Sequence, residues 1–190
     1  MEIITVEDFM VPIEEYATIG ENGTLYEAVK ALEKSQEEFD YKHSFYRHRA
    51  ILVLDKNKNV VGKISQIDIL RALEPKYQDM GDMRAMSRAG LSADFIRSMM
   101  EDYSLCKIPF TEMCRNAADL KVTNFMYVPS EGEYTEVDAS LCEAIHMFVT
   151  GNHHSLLVTR DEKIIGILRL TDVFKEAFQT MESHILGKNG

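Results

Sequence analysis

Two short stretches of the chain hold the residue types that grasp a sugar and a phosphate. The first is Gly62-Lys63-Ile64-Ser65-Gln66-Ile67-Asp68 and the second is Gly166-Ile167-Leu168-Arg169-Leu170-Thr171-Asp172. Each begins with a glycine in a strand-like run, where backbone can come close to a ligand. Each then opens a helix, whose free N–H groups and dipole favour a phosphate. A carboxylate one turn in, Asp68 or Asp172, has two oxygens to accept from two ribose hydroxyls, as the acidic residue of dinucleotide folds does. Ser65 and Thr171 bring hydroxyls within reach of a ribose or phosphate oxygen. A purely structural role is also open, because Ser65-x-x-Asp68 is an ordinary capping box. The chain holds no nucleophile–base–acid set, Walker motif or zinc-ligand spacing, so a binding protein is expected and not an enzyme.

The elements around these stretches say nearly the same thing twice. Phe9-Met10 followed by Thr24-Leu25-Tyr26-Glu27-Ala28-Val29 is echoed by Phe125-Met126 followed by Ser140-Leu141-Cys142-Glu143-Ala144-Ile145, with the same separation along the chain. Val60-Val61-Gly62 through Asp68 is echoed by Ile164-Ile165-Gly166 through Asp172. Such a repeat means two copies of one supersecondary unit that bury a shared face. A lone copy of about 60–75 residues has only a marginal core, so the copies are expected to pack on each other, with function in the cleft between them.

Each copy reads β-α-β-β-α. In the first, Tyr16–Ile19 is a short strand, and Thr24 caps a helix with Glu27 three residues on. The apolar set Leu25, Ala28, Val29 and Leu32 keeps helical spacing. Ala50–Leu54 is a continuous apolar run, the mark of a strand covered on both faces. Asp55–Asn59 is a turn-forming loop, Val60–Ile64 returns, and Ile67, Leu70 and Leu73 form a helical stripe ending before Pro75. The second copy predicts a strand at Tyr134-Thr135, a helix over Ser140–Thr150 with Leu141, Ala144, Ile145 and Phe148 inward, and a hairpin of Ser155–Thr159 with Lys163–Leu168. It closes with a helix from Leu170 that turns Val173, Phe174, Ala177 and Phe178 to its apolar side. Copy one carries an insertion, Glu33–Arg49, with Phe39, Tyr41 and Phe45. We divide the chain into a first repeat (1–75), a helical connector (76–121) and a second repeat (122–190). The fold class is α+β (mixed α/β), two β-α-β-β-α repeats with pseudo-two-fold symmetry. The connector exceeds ordinary loop length; Ser92 and Pro109 open helices in it, and Met80, Met83 and Met86 pack there or form an adaptable surface.

Charge narrows the partners. The formal net charge is −10. Residues 1–75 carry 9 basic and 14 acidic side chains, and 122–190 carry 5 and 10, so both repeats are acidic. Nucleic acid and anionic membranes want a basic face and are not expected as partners. No apolar run approaches the roughly 20 residues of a membrane span, and Met1–Thr5 lacks the pattern of a secretory signal. With Cys106, Cys114 and Cys142 read as free, buried thiols, a cytoplasmic protein is expected. His153-His154 enters a strand, which sends the two rings to opposite faces and argues against a metal pair; no metal is expected.

The ordered set F-M-x-P, short strand, [TS]-L-x-E-A-[VI], hairpin, G-h-h-[ST]-x-x-D resembles the cystathionine β-synthase (CBS) domain. Two in tandem resemble a Bateman module. The resemblance covers Val6–Glu74 and Val122–Met181. It implies a regulatory module that senses an adenosine-containing ligand between its repeats: AMP, ADP, ATP or S-adenosylmethionine, with no cofactor required. The helix-start aspartate that holds the ribose falls on Asp68 and Asp172, and the preceding Ser/Thr falls on Ser65. In copy two that position is Arg169, a departure; Thr171 is the nearest hydroxyl, and Arg169 either meets a phosphate or fills the cleft. The residues that frame the adenine fall on Thr18-Ile19 and Tyr134-Thr135, and on Ala50-Ile51 and Ser155-Leu156. The resemblance also implies a homodimer formed through helices and an effector protein as partner. The alternative is a structural or interaction protein that uses the repeats for dimerisation, with vestigial clefts.

Overall fold

A computed structural model describes residues 4–37, 49–81, 86 and 90–186. Copy one is built from β2 (Thr18–Gly20), α1 (Leu25–Glu37), β3 (Ala50–Leu54), β4 (Val60–Ser65) and α2 (Gln66–Ala72). A two-residue strand, β1 (Val11–Pro12), precedes them. Then come α3 (Ala93–Asp102) and α4 (Phe110–Ala117). Copy two is β5 (Tyr134–Glu136), α5 (Leu141–Gly151), β6 (Ser155–Arg160), β7 (Lys163–Arg169) and α6 (Leu170–Leu186). The mixed α+β class and the β-α-β-β-α order are those the sequence predicts. Among the described residues no helix is long and apolar enough to cross a membrane.

Local chemistry sets these boundaries. Thr24 and Glu27 close the start of α1 reciprocally, with Thr24 N donating to Glu27 Oε2 at 2.8 Å and Glu27 N to Thr24 Oγ1 at 3.3 Å. Ser140 and Glu143 repeat the device on α5, and Asn152, left-handed at φ 52°, ends that helix. The Asp55 carboxylate takes the N–H groups of Asn57 and Asn59, both at 2.8 Å, and so folds the β3–β4 turn.

In each copy the first strand lies parallel to the second, as the helical crossover requires, and the second is antiparallel to the third. Ile51 and Val53 of β3 turn toward α1, where they meet Ala28, Leu32 and Ile64. Leu52, between them, turns the other way and meets Leu157, Ile167 and Tyr16. Both faces of β3 are thus covered, which is why its sequence is apolar without alternation. The matching core of copy two joins Ala144, Phe148, Leu156, Val158, Leu168 and Val173.

The leading segments are exchanged between copies. Val6 lies in the core of copy two, with Phe9 and Met10 packed on it. Val122 lies in the core of copy one, with Phe125 and Met126. Strand β1 adds to β7, pairing Val11 with Ile167 and Pro12 with Gly166, so the sheets are β1-β7-β6-β5 and β2-β3-β4. In the reciprocal place Tyr127 bridges Lys63 of β4. This explains the two strand glycines. A Cβ on Gly166 would stand 2.6 Å from the Val11 carbonyl oxygen, and one on Gly62 would stand 2.7 Å from Met126 Sδ. The close approach read from the sequence as room for a ligand is made by the other copy's leading segment.

Four expectations need correction. Ile67 and Leu70 are more than half exposed, because Asp68, Ile69 and Ala72 take the inner side of α2. Phe174 and Phe178 are likewise exposed, and only Val173 of the predicted α6 set is buried. On α5, Ile145 is exposed while Ala144 and Phe148 turn inward. Cys106 and Cys142 are exposed free thiols, not buried ones. In the connector, Ser92 caps α3 through Phe95 N at 3.2 Å. Met80, Met99 and Leu105 form a small core with Tyr77 and Met86, and Ala117 of α4 packs with Leu25 and Ala72. Met83 and the insertion aromatics Phe39, Tyr41 and Phe45 lie outside the described residues.

Candidate functional site

The copy-one site gathers where β4 runs into α2. Ser65 is the residue at which the backbone turns from strand to helix. Its N–H donates to Asp68 Oδ2 at 2.9 Å and its hydroxyl to the same oxygen at 2.5 Å. Arg71, one turn on, donates to Asp68 Oδ1 at 3.1 Å. Asp68 is buried while the Arg71 side chain remains about one-third exposed, at 34%. The serine–aspartate pair is therefore a capping box in fact as well as in pattern, and its carboxylate is turned inward. With only seven residues, α2 has little dipole to lend, so the hydroxyl and carboxylate are what this site offers. Opposite Ser65 across the hairpin stands Ala50, next to buried Ile51. Thr18 and Ile19 pair with Leu52 and Val53 on the neighbouring strand; Thr18 is exposed and Ile19 half-buried.

Copy two holds the corresponding residues differently. Arg169 occupies the position of Ser65, opposite Ser155, and is 6% exposed. Its Nε donates to Asp172 Oδ2 at 2.5 Å and its Nη2 to Oδ1 at 2.7 Å. Both carboxylate oxygens are taken by one planar guanidinium, the strongest geometry for such a pair. Thr171 is half-buried beside it, Thr135 and Leu156 are buried, and Tyr134 packs against the cluster of Leu52, Leu157 and Ile167. Tyr16, donated by copy one, is buried in that cluster. Burial pushes its hydroxyl from the ordinary 10 to about 12, with Arg169 drawing it down and Asp172 pushing it up.

A third group joins the copies. Lys63 Nζ lies 2.7 Å from Glu133 Oε2 and 3.3 Å from Ser155 Oγ. Tyr127 donates its hydroxyl to Glu133 Oε1, which also takes Ser130 N at 3.2 Å. Burial alone would raise the Glu133 carboxyl, but the hydrogen bonds from Lys63 and Tyr127 outweigh it and hold the group below its usual range. The symmetry-related positions are apolar. Ile167 takes the place of Lys63 and Val11 that of Tyr127, because the two pairs occupy matching rungs. Ala17 precedes β2 as Glu133 precedes β5.

The sequence motifs located both helix-start acids and their neighbours. They missed Tyr16, Lys63, Tyr127 and Glu133. One signal for Lys63 was available: laying the copies over each other sets a lysine against Ile167 at an inward strand position. Of the histidine pair, the His153 ring lies over Gly151 and His154 is exposed; the strand begins only at Ser155, so strand alternation does not govern the pair.

Comparison with known proteins follows this geometry. A family model described as "CBS domain" matches residues 6–75 and 118–182. A CBS domain-containing protein of unknown function from Bacillus anthracis superposes with TM-score 0.60 at 20% identity, over 93% of this chain and 94% of that one. The CBS domains of a transcriptional regulator from Streptococcus pneumoniae give 0.54 at 13%, over 92% and 99%. CBSX2, solved in complex with AMP, gives 0.56 at 18%, over 94% and 98%. No curated protein matches.

Proposed function

The chain belongs to the CBS domain family, and on that premise we propose that it is a non-catalytic, cytoplasmic regulatory module that binds an adenine nucleotide or adenosyl compound between its repeats. The observation that carries this reading is the withdrawal of Asp68 from solvent at a strand-to-helix junction, with the Ser65 hydroxyl on the same oxygen. A ribose diol needs an acceptor pair of this kind, shielded from water so that its hydrogen bonds count. The AMP complex of CBSX2 supports the choice of ligand class. A ligand that touches both repeats favours one arrangement of them, by no more than its difference in affinity for the two. Helices α3 and α4 are where a partner protein reads the change.

AMP, ADP, ATP and S-adenosylmethionine are to be titrated into the purified protein by calorimetry and thermal melting. At a hundredfold excess over Kd the bound form gains about 2.7 kcal/mol, a shift of roughly 5–10 °C. Asp68→Asn is expected to weaken binding about tenfold to hundredfold, the worth of a charge-assisted hydrogen bond. Silence with all four ligands removes the nucleotide reading. It leaves the second one, an interaction protein with self-satisfied sites, which the Arg169–Asp172 pairing favours.

A homodimer is part of the proposal. Phe174, Phe178, Met181 and Ile185 run along one side of α6 at helical spacing, each more than half exposed. Ile67 and Leu70 of α2 are exposed as well. Large apolar side chains uncovered in a row at this density mark an association surface. Light scattering is expected to give a dimer for the native chain and a monomer for the Phe174→Glu, Phe178→Glu variant. A native monomer at micromolar concentration removes the claim.

A further inference from the structure

We infer that the nucleotide occupies the copy-one site alone, and that Arg169 is the residue that keeps it out of copy two. The inference rests on the nucleotide reading above and adds to it a stoichiometry and a specificity-determining side chain. Three positions differ in size, and each time the larger side chain falls in the surroundings of Asp172 or the cluster that borders them. Arg169 stands where copy one has Ser65, and Tyr134 stands where copy one has Thr18. The residue two before the first strand is Tyr16 in one copy and Gly132 in the other. Tyr16 feels the charges of Arg169 and Asp172, and Tyr134 packs against the cluster that Tyr16 enters. A Cβ on Gly132, by contrast, would meet nothing within 4 Å.

The acids differ in how they are held. In copy two a ribose must displace a guanidinium that is 6% exposed and bonded to both oxygens of Asp172. The displaced Arg169 would then be a buried cation with its partner gone, a costly state. In copy one Asp68 Oδ2 carries the Ser65 cap, and the only arginine a ribose must displace is Arg71, which makes a single 3.1 Å contact to Oδ1 and already has a third of its side chain in water. Arg71 can therefore turn outward into water without becoming a buried, unpaired cation. Arg169 in effect presents to Asp172 the donors that a sugar diol would present, so copy two carries its own occupant.

Calorimetric titration with AMP tests this. The native chain is expected to bind one AMP. Arg169→Ser restores the hydroxyl cap found in copy one, so the start of α6 keeps a partner, and it is expected to bind two. Thr18→Tyr, at an exposed position, copies the copy-two residue into copy one and is expected to weaken native binding at least tenfold. Combined with Arg169→Ser it leaves one strong site. Two molecules of AMP on the native chain, one on Arg169→Ser, or native affinity in Thr18→Tyr overturns the assignment while leaving the nucleotide reading intact. No binding by either the native protein or Arg169→Ser overturns both.

Discussion

Lys63→Met is expected to cost about 3–5 kcal/mol of stability, the penalty for stripping one partner from a buried ion pair. Glu133 is 3% exposed and Lys63 13%, so water cannot replace the lost ammonium. Tyr127 and Ser130 still donate to the carboxylate, but neither neutralises it. Replacing both partners is a different matter. The other side of the molecule solves the same packing problem with Ile167, Val11 and Ala17, and Lys63→Met with Glu133→Leu is expected to recover most of the loss. Urea unfolding of the two variants measures the difference. Acid provides a second readout. Glu133 is held below its usual range, so its contribution is complete above the ordinary carboxylate value and is lost as pH falls through the lower native one. In Lys63→Met burial is no longer opposed by the lysine, and protonation relieves the stranded charge. The gap between the native protein and the variant should therefore narrow as pH falls toward and through the carboxylate range.

Gly166→Ala should be the more damaging of the two hairpin glycine-to-alanine substitutions, at about 1–3 kcal/mol from overpacking alone. The new methyl would sit 2.6 Å from the Val11 carbonyl oxygen and 3.1 Å from Met10 Sδ. A carbonyl fixed in the β1–β7 ladder cannot swing aside, so the strand itself must move. Gly62→Ala meets the flexible Met126 thioether first, at 2.7 Å, and backbone only at 3.1 Å, so its cost should be smaller. Gly20→Ala meets nothing within 4 Å and serves as the control. Thermal melting of the three variants should rank them in that order. A loss of ligand binding in Gly62→Ala without loss of stability would instead restore the reading that this glycine makes room for a ligand.

Much of the fold could be read from the chain because local chemistry states it. Thr24 with Glu27, Ser140 with Glu143, the Asp55–Asn59 turn and the unbroken apolar run of β3 each report an element through side chains a few residues apart. What joins elements distant in sequence left fainter marks. Val6 and Val122 look like ordinary apolar residues near a boundary, and only the folded chain sends each to the opposite core. The stripes of Ile67 with Leu70 and Phe174 with Phe178 keep helical period, but periodicity does not tell a core from an uncovered surface. On α2 the inner side is taken by an aspartate, which inverts the usual rule. At the sites, the motif located both acids and the arginine that departs from the pattern, while the burial that fixes Arg169 on Asp172 and the arrival of Tyr16 from the other copy depend on long-range packing that no spacing rule gives.

The exchange of leading segments also constrains how the protein can be made. The first core is closed by Val122, Phe125 and Met126. When the N-terminal half leaves the ribosome, that core is missing its last wall, and Val6 has nothing yet to enter. Both halves must therefore wait for synthesis to run well past the middle of the chain. The early half would meanwhile expose apolar surface that invites pairing with a neighbouring nascent chain, a route by which the same segments could be traded between molecules.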